Sequence, residues 1–343
     1  MTKQTLNAID LFSGCGGLSE GLKQAGFKIV AGVEVNKNAT KAYRMNHSDT
    51  VLFEDDIRKL DAGIILNLLK DRPLHLLAGC PPCQGFSSIR KLNRRKNIRD
   101  DRNSLILEYL RFVKDLQPLT IMMENVPGLK SYYLFKEMIK ELKTLNYNPK
   151  FEIVDVSQYG VPQRRKRLVL VGSRLGPIEI AKPINIKKTV KKAIGHLPSV
   201  TLTNDPLHKI YPRHSSRILY RIKSIPKNGG SLKDAGQEHQ YKCHENSEVG
   251  FTDVFGRMKW DDVAPTITGG CLNPSKGRFL HPEEDRGITA REAALLQTFP
   301  EDYTIPIDIP KDKISLLIGN ALPPQFSYIQ SKNIKEHLDK HFG

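Results

Sequence analysis

Apolar positions in roughly the first half of the chain alternate between two patterns. Short, nearly continuous apolar runs predict buried strands at 6–12, 28–33, 50–53, 74–78, 120–123 and 167–172. Between them, apolar residues recur at helical spacing, which predicts helices at 17–25, 37–45, 57–70, 104–116 and 131–145. Strands alternating with helices imply an α/β fold with a doubly wound, mainly parallel sheet covered on both faces. The pattern breaks near Gly176-Pro177. From there to about Pro310 the chain is rich in Pro, Gly, Lys and Asn, with little helical periodicity before Thr289. This stretch predicts a second, smaller, irregular domain over 181–310. A helical pattern returns at Lys311, broken by Gly319 to Gln325, and assigns 311–343 to the first domain together with 1–180.

The apolar run at 74–78 leads into Gly79-Cys80-Pro81-Pro82-Cys83-Gln84-Gly85-Phe86-Ser87-Ser88. Two prolines and two glycines forbid regular structure there. A thiol is thereby displayed on a stiff turn at the carboxyl end of a strand, the edge where open α/β sheets bind ligands. Cys83 suits a nucleophile better than a core residue. The Cys80/Cys83 spacing also fits a zinc site or a redox dithiol. Zinc needs a second ligand pair, and the remaining cysteines do not supply one: Cys243-His244 is adjacent and Cys271 stands alone. The dithiol is the stronger rival.

Charge changes the picture more than composition does. The net charge of +16 over 343 residues is large and partly clustered, and points to a polyanion such as nucleic acid. Five cysteines, an odd and sparse number, argue against a disulfide framework. No apolar run approaches the length of a membrane span, and the first seven residues lack the apolar segment of a signal peptide. A cytoplasmic protein with no membrane partner is expected.

Other segments carry chemistry at strand ends. Asp10 to Leu18 places Gly14, Gly16 and Gly17 in a turn between a strand and a helix, where backbone N–H groups meet a ligand. Glu34 ends the next strand twenty positions after Gly14, as a ribose-binding carboxylate does. Ser19 stands where a dinucleotide fingerprint has its third glycine, which suits a nucleoside without a pyrophosphate. Asp56-Ile57 follows the third strand; Asp56 could accept from an adenine amine or simply cap a helix. Glu124 ends the strand at 120–123 and suits a proton donor to a heterocycle, or a plain helix-start acid. Gln163-Arg164-Arg165-Lys166-Arg167 reads as an anion or carbonyl clamp, or as a basic strand edge. Arg90, Arg94, Arg95 and Arg99 directly follow the thiol loop, as in a lid over a phosphate backbone.

Taken together and in order, these segments resemble the DNA (cytosine-5)-methyltransferases of bacterial restriction-modification systems. The resemblance rests on Asp10 to Gly17, Glu34, Asp56-Ile57, Gly79 to Ser87, Glu124-Asn125-Val126, Gln158 to Arg167, Arg291 to Pro300 and Gly319 to Pro324. It implies an S-adenosylmethionine-dependent methyltransferase domain of Rossmann-like type, with a target-recognition domain over 181–310. It makes Cys83 the nucleophile on cytosine carbon 6 and Glu124 the group that engages N3. Arg165 would hold O2, with Arg167 nearby. S-adenosylmethionine would lie against Phe12, Gly14, Gly16, Gly17, Glu34, Asp56, Ile57 and Pro81, with Asn320 closing the site. Val35 departs from relatives that place a large aromatic there. Duplex DNA, with its target base flipped out, would contact Gln84, Ser87, the Arg90–Arg99 loop, Thr266 and Thr268. The resemblance further implies a monomer without metal and a cognate restriction endonuclease. An RNA cytosine methyltransferase and a DNA-binding protein without activity are the rivals.

Overall fold

The computed structural model describes residues 5–82, 104–240 and 253–342. They form two compact units: 1–159 with 166–184 and 322–343, and 160–165 with 185–321.

The first unit holds strands β1 (Leu6–Leu11), β2 (Phe27–Val33), β3 (Val51–Phe53), β4 (Leu76–Gly79), β5 (Thr120–Asn125), β6 (Lys150–Asp155) and β7 (Lys166–Ser173). They make one seven-stranded sheet in the order β3-β2-β1-β4-β5-β7-β6. The first five strands run parallel, as expected of mainly apolar, mostly buried runs. β7 pairs antiparallel with both β5 and β6.

Helices α1 (Gly17–Gln24), α2 (Lys37–Asn46), α3 (Ala62–Leu69), α4 (Leu105–Leu116) and α5 (Tyr133–Thr144) fill the crossovers. The expected helix at 57–70 is divided. Asp56 caps a 3₁₀ turn at Ile57–Lys59, and Asp61 restarts the chain as α3 by accepting from the Gly63 N–H at 2.9 Å. α4 shows why the periodic segments fold as they do. Its buried positions, Ile106, Tyr109, Leu110, Phe112, Val113 and Leu116, line one stripe. Tyr109 is fully buried, and its hydroxyl satisfies two strand carbonyls, Leu77 at 3.2 Å and Met122 at 3.1 Å.

Two further helices, α6 (Val190–Ile194) and α7 (Ser216–Ser224), occur where little helical periodicity was expected. They are short, and α7 buries only Ile222 fully, too few apolar positions to register as a period. α8 (Ala290–Leu296), α9 (Lys311–Asn320) and α10 (Pro324–Phe342) complete the chain. The break between α9 and α10 falls in the expected Gly319 to Gln325 segment. The division between the units puts α9 with the second unit, whereas the sequence pattern assigned it to the first. α10 packs on α1 at Gly21, where a Cβ would lie 2.5 Å from the Pro324 carbonyl oxygen; glycine permits the close approach.

The second unit has little regular structure and uses buried polar anchors instead. Arg257 is fully buried and donates to the carbonyls of Ile222, Ile225, His281 and Glu284 and to Asp285. Glu292 starts α8 by accepting from the Thr289 N–H at 2.7 Å and takes both Arg286 N–H groups at 2.8 Å. That bidentate pair holds the Glu292 carboxyl below its ordinary range despite complete burial. Among the described residues, no helix is long and apolar enough to cross a membrane.

Candidate active site

Strand register alone brings the candidate residues of the first unit to one sheet edge. Leu11 pairs with Val33 and with Gly79, Val33 pairs with Phe53, and Gly79 pairs with Met123. The next residues along these strands are Phe12, Glu34, Glu54, Cys80 and Glu124. The ladder persists past the strand ends: Ser13 N–H donates to Val33 O at 3.0 Å, Glu34 N–H to Phe53 O at 3.0 Å and Cys80 N–H to Leu11 O at 3.2 Å. The strand order changes direction between β1 and β4, which is the switch point where such sheets bind ligands.

The antiparallel β7 completes the edge. Because it runs against β5, its first residues lie beside the carboxyl end of β5, with Leu168 paired to Asn125. Arg167 Nε therefore sits 2.7 Å from Glu124 Oε1, as a close ion pair rather than an aligned hydrogen bond. Glu124 is only 7% exposed, so little water screens the pair. Asn125, also buried, donates its side-chain amide to the Pro81 carbonyl at 2.8 Å. This bond ties the stem that leads to Cys83 to the strand that carries Glu124. The sequence reading missed the role of Asn125. A polar amide ending an apolar strand was the available signal.

Cys83, Gln84, Ser87, Arg90, Arg94, Arg95 and Arg99 lie outside the described residues. Cys80 is half-buried, at the start of the stem.

The glycine turn fits an adenosine-bearing cofactor. Gly14 has φ +56°, and a Cβ there would meet nothing within 4 Å, so space is open over the backbone. Gly16 takes φ 94° as the cap of α1, with Gly17 as its first residue. Phe12 adopts a left-handed φ of 60°, an uncommon conformation for an aromatic residue and one that recurs at ligand-binding turns. Glu34 accepts from Gly14 N–H at 2.9 Å through one carboxylate oxygen and from Asn36 N–H at 2.7 Å through the other. A carboxylate offers about four lone-pair sites, so each oxygen keeps capacity for a ribose hydroxyl. Burial pushes the Glu34 carboxyl above its ordinary range. Val35 follows with 64% of its surface exposed, and half-buried Phe12 packs on the core edge. These are apolar surfaces that a nucleoside can cover.

Asp56 and Ile57 are placed less simply. Asp56 accepts from the Arg58 backbone N–H at 3.1 Å and from its guanidinium, and this holds the carboxyl below its ordinary range. An adenine amine must share it with Arg58. The Ile57 side chain is buried in the core, where it packs.

A buried polar network below the turn escaped the sequence reading. Asp10 Oδ2 accepts from the Ser19 hydroxyl at 2.7 Å, and Ser19 also meets the Tyr43 hydroxyl at 2.7 Å. Desolvation pushes the Asp10 carboxyl up from 3.8 to about 7, with the nearby Glu34 charge adding to the shift. Between those values the folded protein keeps a proton that the unfolded chain has released. The contribution of Asp10 to stability should therefore fall as pH rises from about 4 to about 7, by about 4 kcal/mol, and stay level above. Asp10→Asn keeps the shape and an acceptor for Ser19 but removes this titration. Urea unfolding at pH 5 and pH 8 should show the difference between the two pH values shrinking in the variant; equal differences in both proteins would refute the assignment.

In the second unit, Arg165 is buried. Its Nη1 donates to the Ile267 carbonyl at 3.0 Å and to the Gly319 carbonyl at 2.9 Å, so the guanidinium is engaged with the backbone. Gln163 is fully buried. It accepts from Ile267 N–H at 3.0 Å and donates to the Leu296 carbonyl at 3.1 Å and to Gln297. The Thr266 hydroxyl donates to the Arg164 carbonyl at 2.6 Å, and Thr268 is half-buried beside Gly269. Asn320 ends α9 and is exposed.

Comparison with known proteins agrees with this geometry. A Type II methylase from Herpetosiphon aurantiacus, M.HgiDII, is 37% identical, covering 96% of this chain and 95% of that one. A Type II methyltransferase from Haemophilus parahaemolyticus, M1.HphI, is 32% identical over 93% of this chain and 84% of its own. The crystal structure of the S. pombe Dnmt2 methyltransferase superposes with a TM-score of 0.69 at 19% identity, over 98% of this chain and 100% of that one, which establishes the shared fold. The sequence profile of C-5 cytosine-specific DNA methylases matches residues 6–336, and the chain belongs to that family of DNA methyltransferases.

Proposed function

We propose that this protein flips a cytosine out of a specific duplex DNA sequence and methylates its carbon 5 through a transient bond to Cys83. The observation that carries the reading is the Glu124–Arg167 pair at 2.7 Å, on the strand whose Asn125 tethers the stem of the Cys83 loop. Carbon 5 of cytosine is a poor nucleophile. The Cys83 thiolate adds to carbon 6, which turns the ring into an enamine. Glu124 hydrogen-bonds or protonates N3 and so draws electron density from carbon 6. Arg167, rather than Arg165, is the arginine suited to cytosine O2, because it already lies against Glu124. S-adenosylmethionine, when bound, supplies an electrophilic methyl group. Glu34 would hold its ribose, the Gly14–Gly17 backbone would approach its methionine part and Phe12 would pack on its adenine, with Asp56 and Asn320 as further contacts. Once carbon 5 carries the methyl, loss of its proton restores the aromatic ring and breaks the bond to Cys83.

Carbon 6 cannot be reached within a stacked duplex, which is why the base must leave the helix. The Arg90–Arg99 loop binds phosphates during this opening, and the second unit reads the sequence, with Thr266 and Thr268 as contacts to the DNA; the Thr266 hydroxyl also holds the Arg164 carbonyl. The enzyme acts as a cytoplasmic monomer and protects host DNA beside a cognate restriction endonuclease. The test is a duplex in which 5-fluorocytosine replaces cytosine. Fluorine at carbon 5 cannot leave as a proton does, so the Cys83 bond persists. A complex stable in denaturant, formed only with S-adenosylmethionine, is expected. Its absence in the presence of normal methyl transfer would exclude the covalent route.

A further inference from the structure

We propose that the exposed face of α7, carrying Arg217, Tyr220 and Lys223, is a phosphate-contacting surface for duplex DNA that adds affinity without sequence choice. The proposal rests on the reading of the protein as a DNA methyltransferase and gives a role to a part of the second unit that the reaction does not use.

The sequence first marks the region. Asp205 and Asp234 bracket 28 residues that hold seven Lys and Arg and no carboxylate. α7 lies within that stretch. Its inner side is fixed: Ile222, with half-buried Ile218, packs into a small core made with Ile225, Leu232, Val254, Phe255 and Leu280. Helical spacing then points Arg217 and Tyr220 away from that core, with Lys223 at the flank. All three are exposed, Tyr220 by 69%, with its ring tilted against that of His239, centroids 5.3 Å apart. Just before the helix, Arg213 is also exposed and lies over the Tyr211 ring at 4.7 Å.

Two observations bear on what this face binds. Three cations elsewhere in the second unit have carboxylate partners: Lys187 with Asp262, Lys227 with Asp285, and half-buried Arg278 with Asp253. Arg213, Arg217 and Lys223 have none among the described residues. Arg217 also stands in the first turn of α7, where no acidic residue offsets it and where the positive end of the helix disfavours a cation. Helix stability does not account for that placement. A polyanion laid along the face does, and phosphates spaced along a duplex supply one.

The test is the double variant Arg217→Gln with Lys223→Gln, in the full chain. Binding to a random-sequence duplex and to a duplex that the enzyme methylates is followed by fluorescence anisotropy from low to moderate NaCl. Each lost phosphate contact lowers the slope of log affinity against log salt by about 0.9, so a decrease of about 1.8 is expected, with binding weakened roughly tenfold or more at 0.1 M salt. The loss should be equal for both duplexes, and thermal stability should be unchanged or higher. An unchanged slope overturns the proposal, and so does a loss confined to the methylated duplex, which would mean base readout instead. If the wild-type protein shows no salt-dependent duplex binding at all, the DNA methyltransferase reading fails rather than this one.

Discussion

Serine in place of Cys83 is expected to lower methyl transfer by roughly 10⁴-fold or more. A hydroxyl is far less ionised than a thiol at neutral pH and adds poorly to carbon 6, so the enamine that makes carbon 5 reactive does not form. Binding should survive, because the cofactor turn and the second unit lie elsewhere in the chain. The same substitution at Cys80 is the control. Cys80 starts the stem, its N–H is bonded to the Leu11 carbonyl, and no step uses its thiol. Cys80→Ser should therefore keep much of the activity. Labelled methyl incorporation into duplex DNA measures both variants. Equal losses would restore the redox-dithiol reading of the Cys80/Cys83 spacing.

Glu124→Gln is expected to cost roughly 10²- to 10⁴-fold in kcat, with little change in cofactor binding. Glutamine preserves the shape of the side chain but cannot protonate N3, and it removes the negative partner of Arg167. The guanidinium then stays in place without its ion pair, and its hold on cytosine O2 loses direction. The loss should fall on kcat far more than on KM for S-adenosylmethionine, since the proposed ribose contact is Glu34, not Glu124. Single-turnover kinetics, with cofactor binding measured separately, distinguish these effects. A variant with normal kcat would remove Glu124 from the chemistry.

Much of the site was legible because it lies at strand ends. Buried parallel strands must be apolar throughout, so the residue that follows each run is forced to the same edge. Glu34 and Glu124, which follow the apolar runs at 28–33 and 120–123, could thus be singled out before any contact was known. Arg167 was harder to place. Its position depends on β7 running antiparallel to β5, and local periodicity carries no strand direction. The expectation gave the O2 contact to Arg165, whose Nη1 donates to the backbone carbonyls of Ile267 and Gly319. β6 was missed for a related reason: as an edge strand it is mostly exposed, and Lys150–Asp155 mixes charge with apolar residues. The second unit was the least legible part. Arg257 and Glu292 hold it by hydrogen bonds to segments remote in sequence, which no windowed pattern reports. Asp10 gave one faint sign, a carboxylate inside an apolar strand.

The most direct test of the account is bisulfite sequencing of plasmid DNA from cells that express the protein, set against cells that express Cys83→Ser. Cytosines protected from conversion are expected within one fixed sequence context, and only with the wild-type chain. Conversion of all those cytosines, together with labelled methyl groups appearing in RNA rather than duplex DNA, would contradict it.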